Sequence, residues 1–505
     1  MVNFKTENIL IEPGNICIVF FLDKRFQVQY NEMNMKSRSS ILMIKIKIRE
    51  VVEVLNAKCI GNCDLEQYIC GVGIDSRETS ESNLFIPIKG MTTNGHIYIR
   101  DVVEKGALAT LWNKDELNPP TDIAVILVDD TIEALQKLAG AYRNKLKTKI
   151  VGITGSNGKT STKDITASVL SQRFKTQKTM GNYNTEIGVP YTLLSLDEDC
   201  EAAVIEMGME RKGEIDFLTR LVQPDVGIIT SVGLVHIDNF PSIEEIAKAK
   251  LEIVNGIKDN GLFIYFGDDP LIENTVNNTE IKGSIRKQTF GLLKTNTLYL
   301  KNFYENLDGI NFEVSDNSFG ELHADMLGKH QALNSMAAIL AALELGMTSE
   351  EIRLGLLKIE KTGLRNEIIK INNCTILNDC YKSNPVSIMA ALDIFEMLDG
   401  DKKIAVLGDM LGYREMSNDM HYNVGAGLKK YNIHELITIG SESKFIAKGA
   451  RENTDIKSIV EFDTKEEAVG YLRKYLNNNV SILIKGSRFL KLEYISNTLK
   501  EYNGD

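Results

Sequence analysis

The chain has 505 residues, and its 58 Lys and Arg against 69 Asp and Glu give a formal net charge of −11 at pH 7. Such an acidic chain does not offer a general surface to nucleic acid, and no apolar run approaches the ~20 residues that span a bilayer. We therefore expect neither a nucleic-acid partner nor membrane insertion. The length predicts about three domains, and seven cysteines without a CxxC pair indicate a reducing cytoplasm.

The first part of the chain predicts an extension followed by a small domain. Residues 1–42 carry no pattern to which we assign a fold, and Met43 is an alternative start. Residues 43–147 predict a small α/β domain whose first strand alternates apolar side chains at Ile44, Ile46 and Ile48. Its polar loop contains Ser76 and Arg77, which suit a phosphate or a nucleobase edge. A polar turn beside a strand is the alternative.

The stretch Ile150 to Thr160 reads I-V-G-I-T-G-S-N-G-K-T. The apolar run predicts a buried strand, and a helical pattern follows to about Leu170. Two glycines between them let backbone N–H groups converge on a phosphate at the start of a helix. Lys159 can reach terminal phosphates, and the Thr160 hydroxyl can bind Mg²⁺. The motif is G-x-x-G-K-T, because Ile153 stands where the usual loop begins with glycine.

A central domain over residues 148–362 predicts a parallel sheet with crossover helices. Three apolar runs predict further strands, at Ala202 to Ile205, Val226 to Thr230 and Leu262 to Phe266. Glu206 and His236 follow the first two. Since ligands of such sheets collect at the carboxyl ends of the strands, these side chains and the phosphate loop predict a metal site. A structural histidine is the alternative.

The helix after His236 carries a lysine on its apolar stripe. Ser242 and Glu245 predict a capping box, and Lys250 lies seven residues after Ile243, on the inner face, whereas Lys248 points elsewhere. A salt bridge or snorkelling would accommodate this lysine. The other solution is reaction of the neutral amine with CO₂, because a carbamate is an anionic oxygen ligand of the kind Mg²⁺ prefers.

A later helix, running from about Met326 through Leu345, places two amides three residues apart. Gln331 and Asn334 suit a purine edge, although a polar cluster at a helix start explains them equally well. Residues 363–505 predict a third α/β domain, with strands at Thr375 to Leu377, Ile404 to Leu407, Leu436 to Ile439 and Ile482 to Ile484. Arg365 lies just after the boundary, where a cation can reach a phosphate when domains close.

Several motifs together resemble the Mur ligase family, ATP-dependent amide-bond-forming enzymes of peptidoglycan synthesis. The resemblance covers about residues 43–493. It rests on G-S-N-G-K-T, N-Y-N-T-E-I-G-V-P (Asn182 to Pro190), E-M-G-M (Glu206 to Met209), A-K-A-K-L-E-I (Ala247 to Ile253), N-D-C-Y-K-S-N-P (Asn378 to Pro385), V-L-G-D-M-L and K-G-S-R (Lys485 to Arg488). Members often carry Asn at the positions of Gln331 and Lys382.

The resemblance implies three α/β domains: an N-terminal domain for a UDP-linked substrate, a central ATPase domain and a Rossmann-like C-terminal domain. It implies an ATP cradle made of Gly155, Ser156, Asn157, Gly158, Lys159, Thr160 and Ser161. It further implies two Mg²⁺ ions and a carbamylated lysine, held by Thr160, Glu206, His236 and Lys250. Asn334 would contact adenine, Asp379 the ribose and Arg365 the transferring phosphate. The substrate pocket would include Ser76, Arg77, Asn182 and Asn184.

Among family members, the resemblance is strongest to those that join D-alanyl-D-alanine to UDP-MurNAc-tripeptide through an acyl phosphate. It implies a cytoplasmic enzyme, which we expect to be a monomer. One alternative is a sibling or folate-type ligase that adds a single amino acid. The diaminopimelate-adding relatives carry D-N-P-R where this chain has S-N-P-V (Ser383 to Val386), with no arginine for a second carboxylate. A nucleotide-binding protein without ligase chemistry is the other alternative.

Overall fold

The structure is a computed structural model that describes residues 44–90 and 93–502. The extension 1–42 and the alternative start at Met43 lie outside the described residues. Three mixed or parallel sheets with helices packed on them follow one another along the chain, and the predicted α/β class is confirmed. In the described residues, no helix has both the length and the apolar composition needed to cross a membrane.

The N-terminal unit holds a five-stranded sheet in the order β2-β7-β6-β5-β4 and a two-stranded pair, β1 and β3. Its strands are β1 Lys45–Lys47, β2 Lys58–Gly61, β3 Tyr68–Cys70, β4 Val72–Gly73, β5 Leu84–Phe85, β6 Ala109–Asn113 and β7 Ala124–Val128. Its helices are α1 Ile48–Leu55, α2 Ile99–Glu104 and α3 Thr131–Lys145. The predicted first strand is correct up to Lys47, but Ile48 begins α1.

A disulfide in this unit was not predicted. Cys59 on β2 and Cys63 in the turn that follows are joined, with their Cα atoms 6.3 Å apart. The distance lies within the range that a disulfide spans. The cysteine spacing alone could not indicate this pair, because residues four apart come this close in a helix or a turn but lie roughly 13 Å apart in an extended strand.

The central unit holds a nine-stranded sheet within residues 149–324, ordered β16-β15-β14-β13-β12-β11-β8-β10-β9. Its strands are β8 Lys149–Thr154, β9 Thr176–Lys178, β10 Ala202–Glu206, β11 Val226–Ile229, β12 Leu262–Phe266, β13 Arg286–Gly291, β14 Leu298–Asn306, β15 Gly309–Val314 and β16 Glu321–Ala324. Its helices are α4 Lys159–Leu170, α5 Gly188–Leu194, α6 Glu214–Val222, α7 Ile243–Leu251, α8 Pro270–Asn277, α9 Lys329–Glu344 and α10 Ser349–Leu356.

Neighbouring strands are parallel from one edge of the sheet inward, in the order β9, β10, β8, β11, β12, β13 and β14. Strands β14, β15 and β16 form an antiparallel meander at the other edge. Both faces of the parallel part are covered, since successive residues Ile150 and Val151 of β8 pack into two separate cores. The predicted strands and crossover helices are confirmed, but the meander was not predicted.

The C-terminal unit holds a six-stranded sheet within residues 367–485, ordered β17-β18-β22-β19-β20-β21. Its strands are β17 Glu367–Ile371, β18 Cys374–Asn378, β19 Lys402–Gly408, β20 Glu435–Ile439, β21 Ser458–Phe462 and β22 Val480–Lys485. Its helices are α11 Pro385–Glu396, α12 Ser417–Gly427, α13 Lys444–Asn453, α14 Lys465–Leu472 and α15 Glu493–Glu501. The four predicted strands are confirmed.

Helix α3 attaches the N-terminal unit to the central one. The Tyr142 hydroxyl donates to the carbonyl of Leu196 at 2.7 Å, and the buried Arg143 donates from Nε to the carbonyl of Val222 at 2.7 Å. A buried guanidinium must be hydrogen-bonded to be tolerated, and carbonyls at the end of α6 provide these bonds. The first two sheets are therefore held in a defined arrangement.

Candidate active site

The phosphate loop connects β8 to α4 and requires glycine at two positions. Gly158 has φ +83° at the N-cap of α4, and a Cβ there would lie 2.7 Å from Oδ1 of Asn334. A Cβ on Gly155 would lie 2.0 Å from Oγ1 of Thr230. Backbone conformation and lack of space both exclude larger residues. The N–H groups of the first turn of α4 have no partner within the helix, so they are available to an anion.

The loop after β11 supports the phosphate loop through hydrogen bonds. The N–H of Ser156 donates to the carbonyl of Ser231 at 2.9 Å, and the N–H of Asn157 donates to Oγ of Ser231 at 2.9 Å. Thr230 Oγ1 donates to the carbonyl of Asn157 at 2.5 Å. The cradle is therefore held in shape by the protein itself.

Lys159, the first residue of α4, folds back over the loop, where its Nζ donates to the carbonyl of Gly155 at 2.6 Å. Burial lowers the pKa of Lys159; the nearby Glu206 carboxylate opposes this effect, and Arg365 adds to it. Phosphate oxygens arriving in the cradle would offset the burial of this ammonium.

Glu206 ends β10 and is the buried carboxylate of the site, 3% exposed. Its Oε1 accepts a hydrogen bond from Nδ2 of Asn184 at 2.9 Å, whereas its buried Oε2 has no hydrogen-bond partner among the described residues. An orphaned buried carboxylate oxygen suits a cation. Within residues 44–90 and 93–502 no three His, Cys, Asp or Glu side chains cluster as a metal site. One carboxylate, a Thr160 hydroxyl and substrate phosphates form a set that Mg²⁺ accepts.

His236 and Lys250 line the same cleft, and the surroundings of each disfavour its protonated form. His236 has φ +64° before the 3₁₀ helix Ile237–Asn239. Burial, with the charges of Lys382, Lys159 and Lys250, lowers the pKa of His236 to about 3, so its ring is neutral at pH 7. Burial, then Lys159 and Lys382, lowers the pKa of Lys250 well below its ordinary value. The prediction that Lys250 lies on the inner face of its helix is confirmed.

The predicted capping box of α7 is only half present. Oγ of Ser242 accepts a hydrogen bond from the N–H of Glu245 at 3.4 Å. The Glu245 carboxylate accepts instead from Nζ of the exposed Lys248 at 2.7 Å, so it does not return to the N-cap. An exposed ion pair one turn away replaces the second bond of the box.

Where α9 and the loop after β18 border the cleft, two amides and one carboxylate line it. Nδ2 of Asn334 donates to Oε1 of Gln331 at 3.0 Å, and both side chains are buried on α9. Asp379, which follows β18, is ion-paired with the buried Lys485. Burial lowers the pKa of the neighbouring His330 to about 4, so this part of the cleft has one neutral imidazole.

Arg365 crosses from the C-terminal unit to the phosphate loop. Its Nη2 donates to Oγ1 of Thr160 at 3.0 Å, and its guanidinium lies 4.2 Å from the ring centroid of Tyr381. Close to it, Nδ2 of Asn384 donates to Oδ1 of Asn157 at 2.7 Å. The two units are therefore in contact at the phosphate loop.

Ser76 and Arg77 line the same cleft from the N-terminal unit, and Asn182 and Asn184 line it from the loop after β9. Nε of Arg77 donates to Oδ1 of Asp75 at 2.9 Å, and the carbonyl of Ser76 accepts from Nζ of Lys105 at 2.6 Å. The cleft has a volume of about 2450 Å³ and is lined by all three units. All the side chains selected from the sequence border it.

Lys382 also lines the cleft. From the sequence it was only a position that departs from the family pattern, and its part in the charge of the cleft was not predicted. Burial, then Lys159 and Arg365, lowers the pKa of Lys382 to about 7. Tyr381 and Asn384 were also missed, although they belong to the N-D-C-Y-K-S-N-P motif, whose length was the available signal. Lys159, Lys382 and Arg365 lie close enough to influence one another's charge beside the phosphate loop, and their cationic forms suit a polyphosphate ligand.

Comparison with known proteins places this geometry in a family. Three family models match: "Mur ligase family, catalytic domain" at residues 68–143, "Mur ligase middle domain" at 153–342 and "Mur ligase, glutamate ligase domain" at 364–488. The UDP-N-acetylmuramoyl-tripeptide–D-alanyl-D-alanine ligase of Bacillus subtilis (strain 168) is 39% identical over 91% of this chain and 99% of the relative. The enzyme of the same name from Escherichia coli (strain K12) is 29% identical over 91% and 99%.

Solved structures agree with these matches. A crystal structure of MurF from Acinetobacter baumannii superposes with a TM-score of 0.82 at 26% identity, covering 91% of this chain and 100% of that one. The MurF ligase of Thermotoga maritima in complex with ADP superposes with a TM-score of 0.73 at 25% identity, covering 85% and 97%. Sequence, fold and site agree, and the chain belongs to the Mur ligase family.

Proposed function

We propose that this protein is an ATP-dependent ligase that joins D-alanyl-D-alanine to UDP-MurNAc-tripeptide, with release of ADP and phosphate. The observation that carries the proposal is the single cleft, lined by all three units, in which Lys159, Glu206, Lys250 and Arg365 converge. The names of the relatives that match nearly the whole chain support the substrate pair, and the ADP complex of a similar structure supports the nucleotide.

The chemistry begins with a carboxylate, which is a poor electrophile. A terminal carboxylate oxygen of the tripeptide attacks the γ-phosphorus of ATP, so that ADP leaves and an acyl phosphate forms. The amine of the dipeptide then attacks the carbonyl carbon, and the tetrahedral intermediate loses inorganic phosphate as the amide forms. Lys159, Arg365 and the N–H groups of the first turn of α4 stabilise the charge that collects on the transferring phosphoryl group.

In this proposal Thr160 and Glu206 would hold one Mg²⁺, and His236 and Lys250 would serve a second. When bound, Mg²⁺ would neutralise charge on the ATP phosphates. The orphaned Oε2 of Glu206 and the neutral ring of His236 are suited to that role. Lys250 would serve the second ion as its carbamate, which forms when the neutral amine adds to CO₂ and releases a proton; the depressed pKa of Lys250 favours that neutral amine.

The remaining side chains orient the two substrates. We propose that Asn334 contacts the adenine, Asp379 the ribose, and Ser76, Arg77, Asn182 and Asn184 the UDP-linked substrate. We also propose domain boundaries after residues 147 and 362, and a cytoplasmic reaction, since ATP is consumed. All the proposed residues come from one chain, so the proposal needs no second copy.

A single-amino-acid ligase is the competing assignment. Folylpolyglutamate synthase from Mycobacterium tuberculosis superposes with a TM-score of 0.59 at 15% identity, which shows a common fold alone. The stretch S-N-P-V lacks the arginine of the diaminopimelate-adding relatives. Neither observation favours the competitor.

The test is phosphate release by purified protein with ATP, Mg²⁺ and UDP-MurNAc-tripeptide. D-alanyl-D-alanine should support turnover, whereas D-alanine, glutamate and diaminopimelate should not. Release with a single amino acid and none with the dipeptide would assign the competing function. No release with any acceptor would reject ligase activity on this substrate.

A further inference from the structure

A buried ionic cluster lies behind the phosphate loop, outside the residues that line the cleft. Asp164 on α4 and its neighbour Lys163 have side chains only 2% and 1% exposed. Oδ1 of Asp164 accepts from Nζ of Lys178 at 2.9 Å and lies 3.5 Å from Nζ of Lys163. Burial alone would raise the pKa of Asp164, but the two lysines hold it below its ordinary value. Buried charges are tolerated when paired in this way.

The same cluster holds the chain segment that joins the central and C-terminal units. This segment, residues 357–366, runs between α10 and β17 and is called here the linker. Oδ2 of Asp164 accepts from the N–H of Thr362 at 2.9 Å, and Nζ of Lys178 donates to the carbonyl of Glu360 at 3.3 Å. Two charged side chains of the central unit, Asp164 and Lys178, therefore bind backbone groups of the linker directly.

Immediately beyond these bonds the linker has an unfavourable conformation. Leu364 and Asn366 have φ values of +65° and +47°. Such left-handed residues cost free energy and persist only where their surroundings hold them. The carbonyl of Leu364 accepts from the N–H of Tyr381 at 3.2 Å. Between the two residues, Arg365 reaches Thr160.

The linker is therefore attached to helix α4 at two points, which lie about one helical turn apart. Thr160 and Asp164 lie four residues apart on α4, a rise of about 6 Å. Asp164 accepts a hydrogen bond from the linker at Thr362, and Thr160 accepts one three residues later, from Arg365. Moving the first attachment would therefore displace the second.

We propose that Asp164 and Lys178 are positioning residues that clamp the linker and so deliver Arg365 to the phosphate loop. The kinetic part of this inference rests on the proposed function, because it assigns a reaction to that loop. The structural part, the fixed placement of the C-terminal unit, does not depend on which substrates the enzyme uses.

A double-mutant cycle on kcat tests the clamp. Asp164→Ala should lower kcat by on the order of 10²-fold, the typical cost of a misplaced catalytic group, with little change in KM for the UDP-linked substrate. In an Arg365→Ala background, the same substitution should change kcat by less than about twofold, since coupled residues are not additive. Equal losses in both backgrounds would overturn the proposal.

Three further variants separate a positioning role from a folding defect. Lys178→Met should lower kcat in the same direction, and Lys178→Arg, which keeps donors for Asp164 and Glu360, should restore it. Glu435→Gln is the matched control, because Glu435 is also a buried, lysine-paired carboxylate but lies at the start of β20. It should lower Tm without the selective loss of kcat. A similar kcat loss in this control would contradict a positioning role.

Solution X-ray scattering gives a readout that needs no turnover. Asp164→Ala or Lys178→Met should increase the radius of gyration of the full chain relative to wild type and to Glu435→Gln. An unchanged radius in both clamp variants would refute the clamp even if the ligase assay succeeds. A wild type without ligase activity but with the expected scattering change would reject the proposed function and keep the clamp.

Discussion

Three lysines and one arginine, Lys159, Lys250, Lys382 and Arg365, line the cleft together with the buried carboxylate of Glu206. Burial is the main cause that lowers the pKa of each of the three lysines. Lys159 adds to this effect at Lys250 and Lys382, whereas Glu206 opposes it at Lys159 and Lys382. This concentration of positive charge is unfavourable until anions enter, and it is complementary to ATP phosphates and a carboxylate substrate. The individual contributions can be separated by substitution.

Lys159→Ala should reduce turnover by about 10²- to 10³-fold, because in the proposed function this charge stabilises the transferring phosphoryl group. The side chain packs over the loop rather than in a core, so Tm should stay close to that of wild type. Phosphate release and thermal unfolding check both expectations. Lys149→Ala, which changes an exposed lysine on the preceding strand, is the control. Near-normal turnover in Lys159→Ala would contradict its role.

Lys250→Ala should be strongly impaired and partly rescued by formate or acetate added to the assay, because a small carboxylate can replace the oxygens of the carbamate that we propose on Lys250. Lys248→Ala, on the exposed face of the same helix and paired with Glu245, should retain activity and show no response to the acids. Turnover with and without acid is the measurement. Full activity of Lys250→Ala without acid would rule out the carbamate.

At the scale of elements, Asp225 ties together the beginnings of the neighbouring strands β8 and β11. Its Oδ2 accepts from the N–H of Ile150 at 2.9 Å and from Nζ of Lys258 at 3.0 Å. Burial alone would raise the pKa of Asp225, but these bonds hold it below the ordinary 3.8. The ionised carboxylate therefore stabilises the fold above pH 3.8, and this stabilisation is lost as the pH falls through the folded-state pKa.

Asp225→Asn should lower the free energy of unfolding at pH 7, and the difference from wild type should shrink as the pH falls below 3.8. Urea unfolding across that range is the measurement. Asp308→Asn, in the exposed turn between β14 and β15, should leave stability unchanged throughout. A constant difference between Asp225→Asn and wild type at all pH values would show that linkage does not explain the effect.

Buried parallel strands were the elements that sequence predicted best. Runs such as Ala202 to Ile205 are apolar at every position because both faces of the sheet are covered. The β14–β16 meander and β17 were not predicted. The alternation in β15 (GINFEV) is a strand pattern that was overlooked, whereas β14 and β17 lack a strict alternation of polar and apolar residues. The end of β1 was misjudged because Ile48 is buried equally well at the start of a helix.

At the scale of the whole molecule, the N-terminal, central and C-terminal units meet at one cleft. The strand ends that carry Glu206 and the phosphate loop could be inferred from the parallel-sheet pattern, which brings carboxyl ends together. The contacts of Arg365 with Thr160 and of Asn384 with Asn157 could not. They depend on how the C-terminal unit sits on the central one, and no local periodicity encodes that orientation.

The sequence also indicated where single residues lie on their own element better than it indicated which distant residues surround them. The inner-face position of Lys250 followed from helical spacing, but the depressed pKa of His236 depends on lysines from distant segments. The clamp formed by Asp164 and Lys178 is invisible in sequence for the same reason: Asp164 and Thr362 lie almost two hundred residues apart in the chain.

Isotope transfer tests most directly the claim that the cleft activates a carboxylate by phosphorylation. UDP-MurNAc-tripeptide labelled with ¹⁸O in its terminal carboxylate is incubated with the enzyme, ATP, Mg²⁺ and D-alanyl-D-alanine. Mass spectrometry of the released phosphate should detect one ¹⁸O atom per turnover, because the oxygen that attacks the γ-phosphorus leaves with the phosphate when the amide forms. Amide product accompanied by unlabelled phosphate would contradict the acyl phosphate and the role assigned to the cleft.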